Sequence, residues 1–290
     1  MEAQWPLIIF TLFVCLTCGI FGSMSILALK GQGRELQFPS LIAATVSLAI
    51  GGFGAFLHLE HWERIFNGFG HITSGITQEL IGCVALAIII VIWFVALRRE
   101  EAKIPKALAW ATLIVAVLMV VATGHSYLMP ARPAWGIALI VFYLANACLL
   151  GGVAMWLISI LKKDEAAESS SIQFTLIAAI FQLAADAVYT IACSTAKFAD
   201  YGFYADPTQM TTAPVHIDSL LSIMLTGEGA LMFWCSIACA VVALICAIAA
   251  KKKVGASKPY MIIAVIVTLA ASLMFRVLFY QLGFATVLLY

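Results

Sequence analysis

Charge is what this sequence has least of. Lys, Arg, Asp and Glu make up 11% of its 290 residues, against about 25% in an average soluble domain. Hydrophobic residues make up 63%. That balance excludes a water-soluble fold and leaves an integral membrane protein. The net charge is +1, which excludes the strongly basic surface expected of a nucleic-acid or polyanion binder. No basic n-region precedes the first apolar run, and that run is long enough to span a bilayer. A spanning helix is therefore expected there, not a cleaved signal peptide.

Chemically useful cysteine spacing is also scarce. The eight cysteines all fall in or at the ends of apolar runs. Cys15 and Cys18 form one C-x-x-C, and no second pair completes a four-thiolate site. No iron–sulfur cluster is expected in this chain, and the cysteines read as small apolar packing residues. No glycine-rich phosphate loop follows a strand pattern. Gly51, Gly52 and Gly54, with Gly151 and Gly152, read instead as points where helices approach closely. No internal repeat stands out, which weighs against a transporter.

What is present is long apolar sequence. Eight runs reach the length a bilayer crossing needs, at about 7–29, 39–57, 77–97, 107–124, 135–161, 172–193, 220–250 and 260–282. Only helices satisfy their own backbone in lipid over such lengths. The expectation is an all-α polytopic membrane protein, a single integral membrane domain over residues 1–290 with eight transmembrane helices. The seventh run is too long for one straight crossing, so it is expected to tilt or to extend beyond the membrane.

The few charges set the orientation. Lys30 and Arg34, then Arg98, Arg99, Lys103 and Lys106, then Lys162 and Lys163, then Lys251, Lys252, Lys253 and Lys258 all fall in odd-numbered loops, 12 of the 16 basic residues. The positive-inside rule makes those loops cytoplasmic and puts both termini outside. All five histidines, His58, His61, His71, His125 and His216, then lie on the outer side. So do the second loop and a long sixth loop, Ser194 to Ser219, and function is expected at that face.

The polar break from His58 to Glu79 concentrates this chemistry. It holds three histidines and the carboxylates Glu60, Glu63 and Glu79. Trp62, Ile65, Phe66 and Phe69 recur at helical spacing, so a short amphipathic helix is expected to lie in the interface, broken by Gly68 and Gly70. If helix continues out of the second span, His58 and His61 share its apolar stripe. Glu79 falls in the first turns of the third helix, where the helix dipole favours a carboxylate. His58 and Glu79 form the pair expected to do proton chemistry, because proton transfer needs acceptors within hydrogen-bond reach at the wet edge of an apolar pocket.

Gln182, Asp186, Glu228 and Arg276 interrupt the apolar runs. Such residues are costly in lipid and turn inward. Arg276 is expected either to pair with Glu79, Glu228 or Asp186 or to touch a ligand. A haem would need two facing imidazoles, and only His58 with His125 could supply them. Tyr127, Tyr201 and Tyr204 read as interface anchors.

Several short motifs go further. Trp5 to Thr11 (WPLIIFT), His58-Leu59 followed by Arg64 and Phe66-Asn67, the acidic Glu79, and Arg276 to Tyr280 (RVLFY) resemble the DMSO reductase membrane-anchor family (DmsC-like). The resemblance spans nearly the whole chain. It implies a haem-free anchor subunit of a molybdopterin oxidoreductase complex in the bacterial cytoplasmic (inner) membrane. Such a subunit oxidises menaquinol at the outer face during anaerobic respiration. It passes the electrons to an iron–sulfur subunit, which feeds a molybdopterin catalytic subunit. His58 and Glu79 match the family's quinol-site positions, and His61, Trp62, Asn67 and Arg276 are taken as further quinol-binding candidates. The sequence departs from the family pattern around His61-Trp62 and in the sixth loop. The alternatives are a membrane transporter and a cytochrome b-type anchor.

Overall fold

The computed structural model describes residues 3–59, 61–99, 104–196 and 219–283, apart from the side chains of Trp62, Glu63 and Phe66. The long sixth loop, with His216, Tyr201 and Tyr204, lies outside the described residues, as does Glu60. The described residues form α-helices and one 3₁₀ helix, with no strand among them.

Eight helices are long and apolar enough to cross a membrane. In chain order they are α1 (Trp5–Leu29), α2 (Arg34–His58), α3 (Gly75–Leu97), α4 (Lys106–Ser126), α5 (Ala138–Lys162), α6 (Glu165–Ser194), α8 (Ala230–Ala250) and α9 (Lys258–Gln281), with a short α7 (Leu220–Leu225) before α8. The helices outrun the apolar runs where polar residues can cap or solvate an end. α6 starts at Glu165, ahead of its apolar stretch, because the Asp164 side chain caps it by accepting from the Ala167 N–H at 2.9 Å. The seventh run does not form one helix. It breaks at Gly227-Glu228-Gly229, leaving α7 as a separate turn and α8 at 21 residues, a length that suits one crossing.

The helices sort into two groups of four. α1 to α4 form one, with α1 against α2 and α4, and α3 against α4 and α2. α5, α6, α8 and α9 form the other, with α5 against α6 and α9, and α8 against α6 and α9. The groups join where α1 packs along α5. Both central helices are 72% buried over their spans, whereas peripheral α3 is 22% buried. The joint depends on glycine. A Cβ on Gly19 would land on the Ala147 carbonyl and sit 2.7 Å from the Gly151 nitrogen, so the two backbones touch where neither residue has a side chain. Gly51 and Gly54 bring α2 onto Phe10 and Pro6 of α1 in the same way, and Gly152 meets Thr175 of α6. Gly52 differs from its neighbours, since a Cβ there would meet nothing within 4 Å.

The alternation of helix direction puts the ends of α2, α4, α6 and α9 at one end of the bundle with the starts of α1, α3, α5 and α8. His58, Glu79 and His125 are at this end. Lys30, Arg34, Arg98, Arg99, Lys106, Lys162, Lys163 and Lys251 to Lys253 are at the other.

The second group carries a polar core. Arg276, 1% exposed, donates from Nε to Thr11 Oγ1 at 3.0 Å, from NH2 to the Thr11 carbonyl at 3.1 Å, and from NH1 to Asn146 Oδ1 at 3.0 Å and the Ser272 carbonyl at 2.9 Å. Asn146 donates in turn to Ser272 Oγ at 2.7 Å and to Gln182 Oε1 at 3.4 Å, and Gln182 donates to Asp186 Oδ1 at 3.0 Å. The expected pairing of Arg276 with Glu79, Glu228 or Asp186 is thus not what forms. Two amides stand between the guanidinium and Asp186, and exposed Glu228 belongs to the α7–α8 break. Neutral partners on α1 and α5 suit the fork geometry of arginine, whose donors diverge to several acceptors.

Candidate functional site

At the His58 end the first group of helices does not close. α2 buries a face from Leu36 to Gly54 and nothing in its last turn. α3 buries Thr77, then no residue until Leu86. Between these two unburied stretches lies a cavity of about 490 Å³.

Helical periodicity builds its walls. On α2, Gly52, Ala55 and Phe56 line it at spacings of three and four, with Leu59 just beyond the helix. On α3, Ile76, Glu79, Leu80 and Cys83 do the same. Leu7 and Phe10 come from α1, with Gln4 ahead of it. Ser126 and Tyr127 come from the end of α4, Trp135 from the loop before α5, and Tyr280 from α9.

The far wall is aromatic. Tyr127 is buried and shares a hydrogen bond with the Tyr280 hydroxyl, O to O 3.2 Å. Its ring meets Trp135 and Phe279 edge-on at 5.8 and 5.0 Å. Trp135 Nε1 donates to the Phe279 carbonyl at 3.1 Å, and the Arg132 guanidinium lies 4.5 Å over the Trp135 ring while NH1 donates to the Gly283 carbonyl at 2.6 Å. Tyr127 is therefore a wall residue and not the interface anchor expected of it. Its hydroxyl finds a partner inside the protein, so it need not reach water.

The roof is a 3₁₀ helix, η1 (Trp62–Gly70). Ile65 and Gly68 of this helix line the cavity, and the Gly68 carbonyl accepts from Thr77 Oγ1 at 2.8 Å, which ties the roof to α3. The expected amphipathic segment is present, with two differences. It winds as 3₁₀ rather than α and runs through Gly68 to end at Gly70. It also does not continue α2, because Leu59 is extended at ψ 118°. His61 accordingly does not share a stripe with His58.

His58 is the last residue of α2, exposed, at the mouth of the cavity. Glu79 sits in the second turn of α3, and Ser126 Oγ lies 2.9 Å from its Oε1 and donates to it. The close approach of α3 to α4 makes that bond possible: a Cβ on Gly75 would be 2.6 Å from the Ser126 Cα. So His58 and Glu79, picked from sequence, face one space. The other candidates are placed differently. His61 and Asn67 are exposed in the roof segment and do not line the cavity. The side chain of Trp62 lies outside the described residues. Arg276 stands behind the aromatic wall, with its guanidinium 5.2 Å over the Tyr143 ring, and Tyr143 stacks on Tyr127 at 6.3 Å. His125 is exposed and outside the lining. Sequence reasoning passed over Ser126, Trp135 and Tyr280. The signal for Ser126 and Trp135 is that each adjoins an apolar run at the histidine-rich end, and Tyr280 closes the RVLFY motif.

Among the described residues, no group of three or more His, Cys, Asp and Glu comes together as a metal site. A pocket that is apolar on its helical walls, with a histidine, a carboxylate and two phenols at one end, fits an amphipathic ring compound with hydroxyl groups and an apolar tail. Compared with known families, the chain matches DMSO reductase anchor subunit (DmsC) over residues 1–282. The curated proteins searched include none that matches this chain.

Proposed function

From the premise that this chain belongs to the DMSO reductase anchor subunit (DmsC) family, we propose that it oxidises menaquinol in the cavity at the His58 end. Membership itself makes the chain a multi-pass membrane protein. It is the anchor of a DMSO reductase-type complex, associated with that complex's catalytic and electron-transfer subunits. The finer reading is supported by one observation above the rest. A histidine from the end of α2 and a carboxylate from α3 enter the same largely apolar cavity at the same end of the bundle.

Oxidation takes two protons and two electrons from the quinol and leaves the quinone. The His58 imidazole accepts a hydroxyl proton, since an imidazole nitrogen can act as a general base. Glu79, held by Ser126, accepts from the other hydroxyl or relays the proton to water at the mouth. The electrons go to an iron–sulfur subunit docked over this end, and from it to a molybdopterin catalytic subunit. No haem takes part in this chain. His61 and Asn67 belong to the segment that roofs the site. Arg276 acts from behind the wall. The positive-inside rule puts this end on the outer face of the bacterial inner membrane, with both termini outside.

The test is oxidation of a menaquinol analogue by membranes with matched subunit levels. His58→Ala is expected to abolish it while the complex still assembles. Near wild-type turnover in that variant sinks the assignment.

A further inference from the structure

The cavity is open in a direction that proton chemistry does not require. His58, Glu79, Ser126 and the two tyrosines sit near the end of the bundle. The cavity also runs down between α2 and α3, to Gly52 two turns below His58 and to Cys83 one turn below Glu79. Over this depth its sides are apolar. On the facing stretches α2 buries only Gly54, which packs on α1, and α3 buries only Thr77, and the residues at the cavity's edges face outward, with Phe56 46% and Ile76 67% exposed. Gly52 is the narrowest side chain available, in a helix whose neighbouring glycines, Gly51 and Gly54, are filled against α1. At Gly52 the space is left empty. A glycine in a helix interior destabilises the helix relative to alanine. Close helix packing accounts for that cost at Gly51 and Gly54 and does not account for it at Gly52.

We propose that the α2–α3 cleft is the passage for the polyisoprenyl tail of the quinol, and that Gly52 and Cys83 set the width of that passage. This rests on the quinol reading above. An amphipathic substrate dissolved in the bilayer cannot bring its tail through the aqueous mouth at low cost. It must enter sideways, ring first or tail trailing, through an apolar slot that opens to lipid. Gly52 is then a specificity-determining residue: it admits substrates by their tails and has no part in the proton transfer at the other end of the cavity.

The experiment uses the whole complex in membranes, with two substrates: a menaquinol bearing a long isoprenoid tail, and a tail-less dimethylnaphthoquinol. Gly52→Phe, with its ring in the slot, is expected to lower the ratio of long-tail to tail-less oxidation rates about tenfold or more. Cys83→Phe blocks the slot from the opposite wall and should lower the same ratio, so the result does not depend on one variant folding. Ile88→Phe places an equal ring on the lipid-facing side of α3, outside the cavity, and should leave the ratio unchanged. If both glycine and cysteine variants slow the two quinols in proportion, or neither slows either, the passage is elsewhere. If the wild-type complex oxidises neither quinol, the quinol reading itself fails, and this inference fails with it.

Discussion

His58 and Glu79 reach the same space under different constraints. His58 ends a helix and stands exposed at the mouth, with the chain turning away at extended Leu59. Glu79 is locked inside the second turn of α3 by the Ser126 hydroxyl. A first proton acceptor removed from such a site costs about 10²–10⁴ in rate, so His58→Ala should fall in that range. Glu79→Gln should fall less. Its amide oxygen still accepts from Ser126, and water at the mouth can carry a relay that no longer passes through a carboxylate. Equal losses in the two variants, measured as turnover of a menaquinol analogue, would make Glu79 a direct acceptor. Arg276 invites a different test, because its donors are spent on Thr11, Asn146 and Ser272 rather than on a substrate. Arg276→Met leaves those acceptors buried and unpaired, and should destabilise the protein by about 3 kcal/mol. Arg276→Lys should not restore it, since a compact ammonium lacks the spread of the guanidinium fork that reaches Thr11 on α1 and Asn146 on α5. Thermal unfolding in detergent reads both, and a full-stability lysine variant would show that charge alone suffices there.

The elements differ in how far the sequence announces them. Seven of the eight apolar runs became single helices because lipid-compatible length and backbone satisfaction leave no other solution. The run from 220 to 250 did not, since Gly227, Glu228 and Gly229 interrupt it with a charge and two poor helix formers that a hydropathy pattern averages away. The pairing of His58 with Glu79 was legible because the polar break joins them directly. The aromatic wall was not, because Tyr127 and Trp135 come from the α4–α5 connection and Tyr280 from α9, and only the packing of these elements brings them together. The glycines show the same limit. Gly51, Gly52 and Gly54 look alike in sequence, yet a one-residue step around a helix turns Gly52 away from α1. Gly19 marks the extreme case. Gly19→Ala puts a methyl group into the α5 backbone at the joint of the two helix groups, and should abolish recovery of folded protein by size-exclusion chromatography. Recovery of Gly19→Ala at wild-type yield would mean that the α1–α5 joint can open without loss of the fold.

At the scale of the molecule, the two ends of the bundle are chemically opposed. One end gathers the lysines and arginines of four loops. The other holds the cavity, its histidine and its carboxylate. If basic loops stay in the cytoplasm, the cavity end faces outward, and on the quinol reading proposed above the electron-transfer subunit docks there, since electrons tunnel efficiently only over short gaps. The native cysteines all lie within helices α1, α3, α5, α6 and α8, so a membrane-impermeant maleimide should largely ignore them in intact cells. A cysteine placed at exposed Ile72, in the turn above the cavity, should react with that reagent in intact cells. One placed at exposed Lys252, in the α8–α9 turn, should react only after the membrane is opened. In the assembled complex the partner subunits should then shield the cysteine at position 72 and leave the one at position 252 accessible. Labelling of position 252 from outside would invert the molecule. Protons released at the cavity would then enter the cytoplasm, and the soluble subunits would have to sit on that side as well.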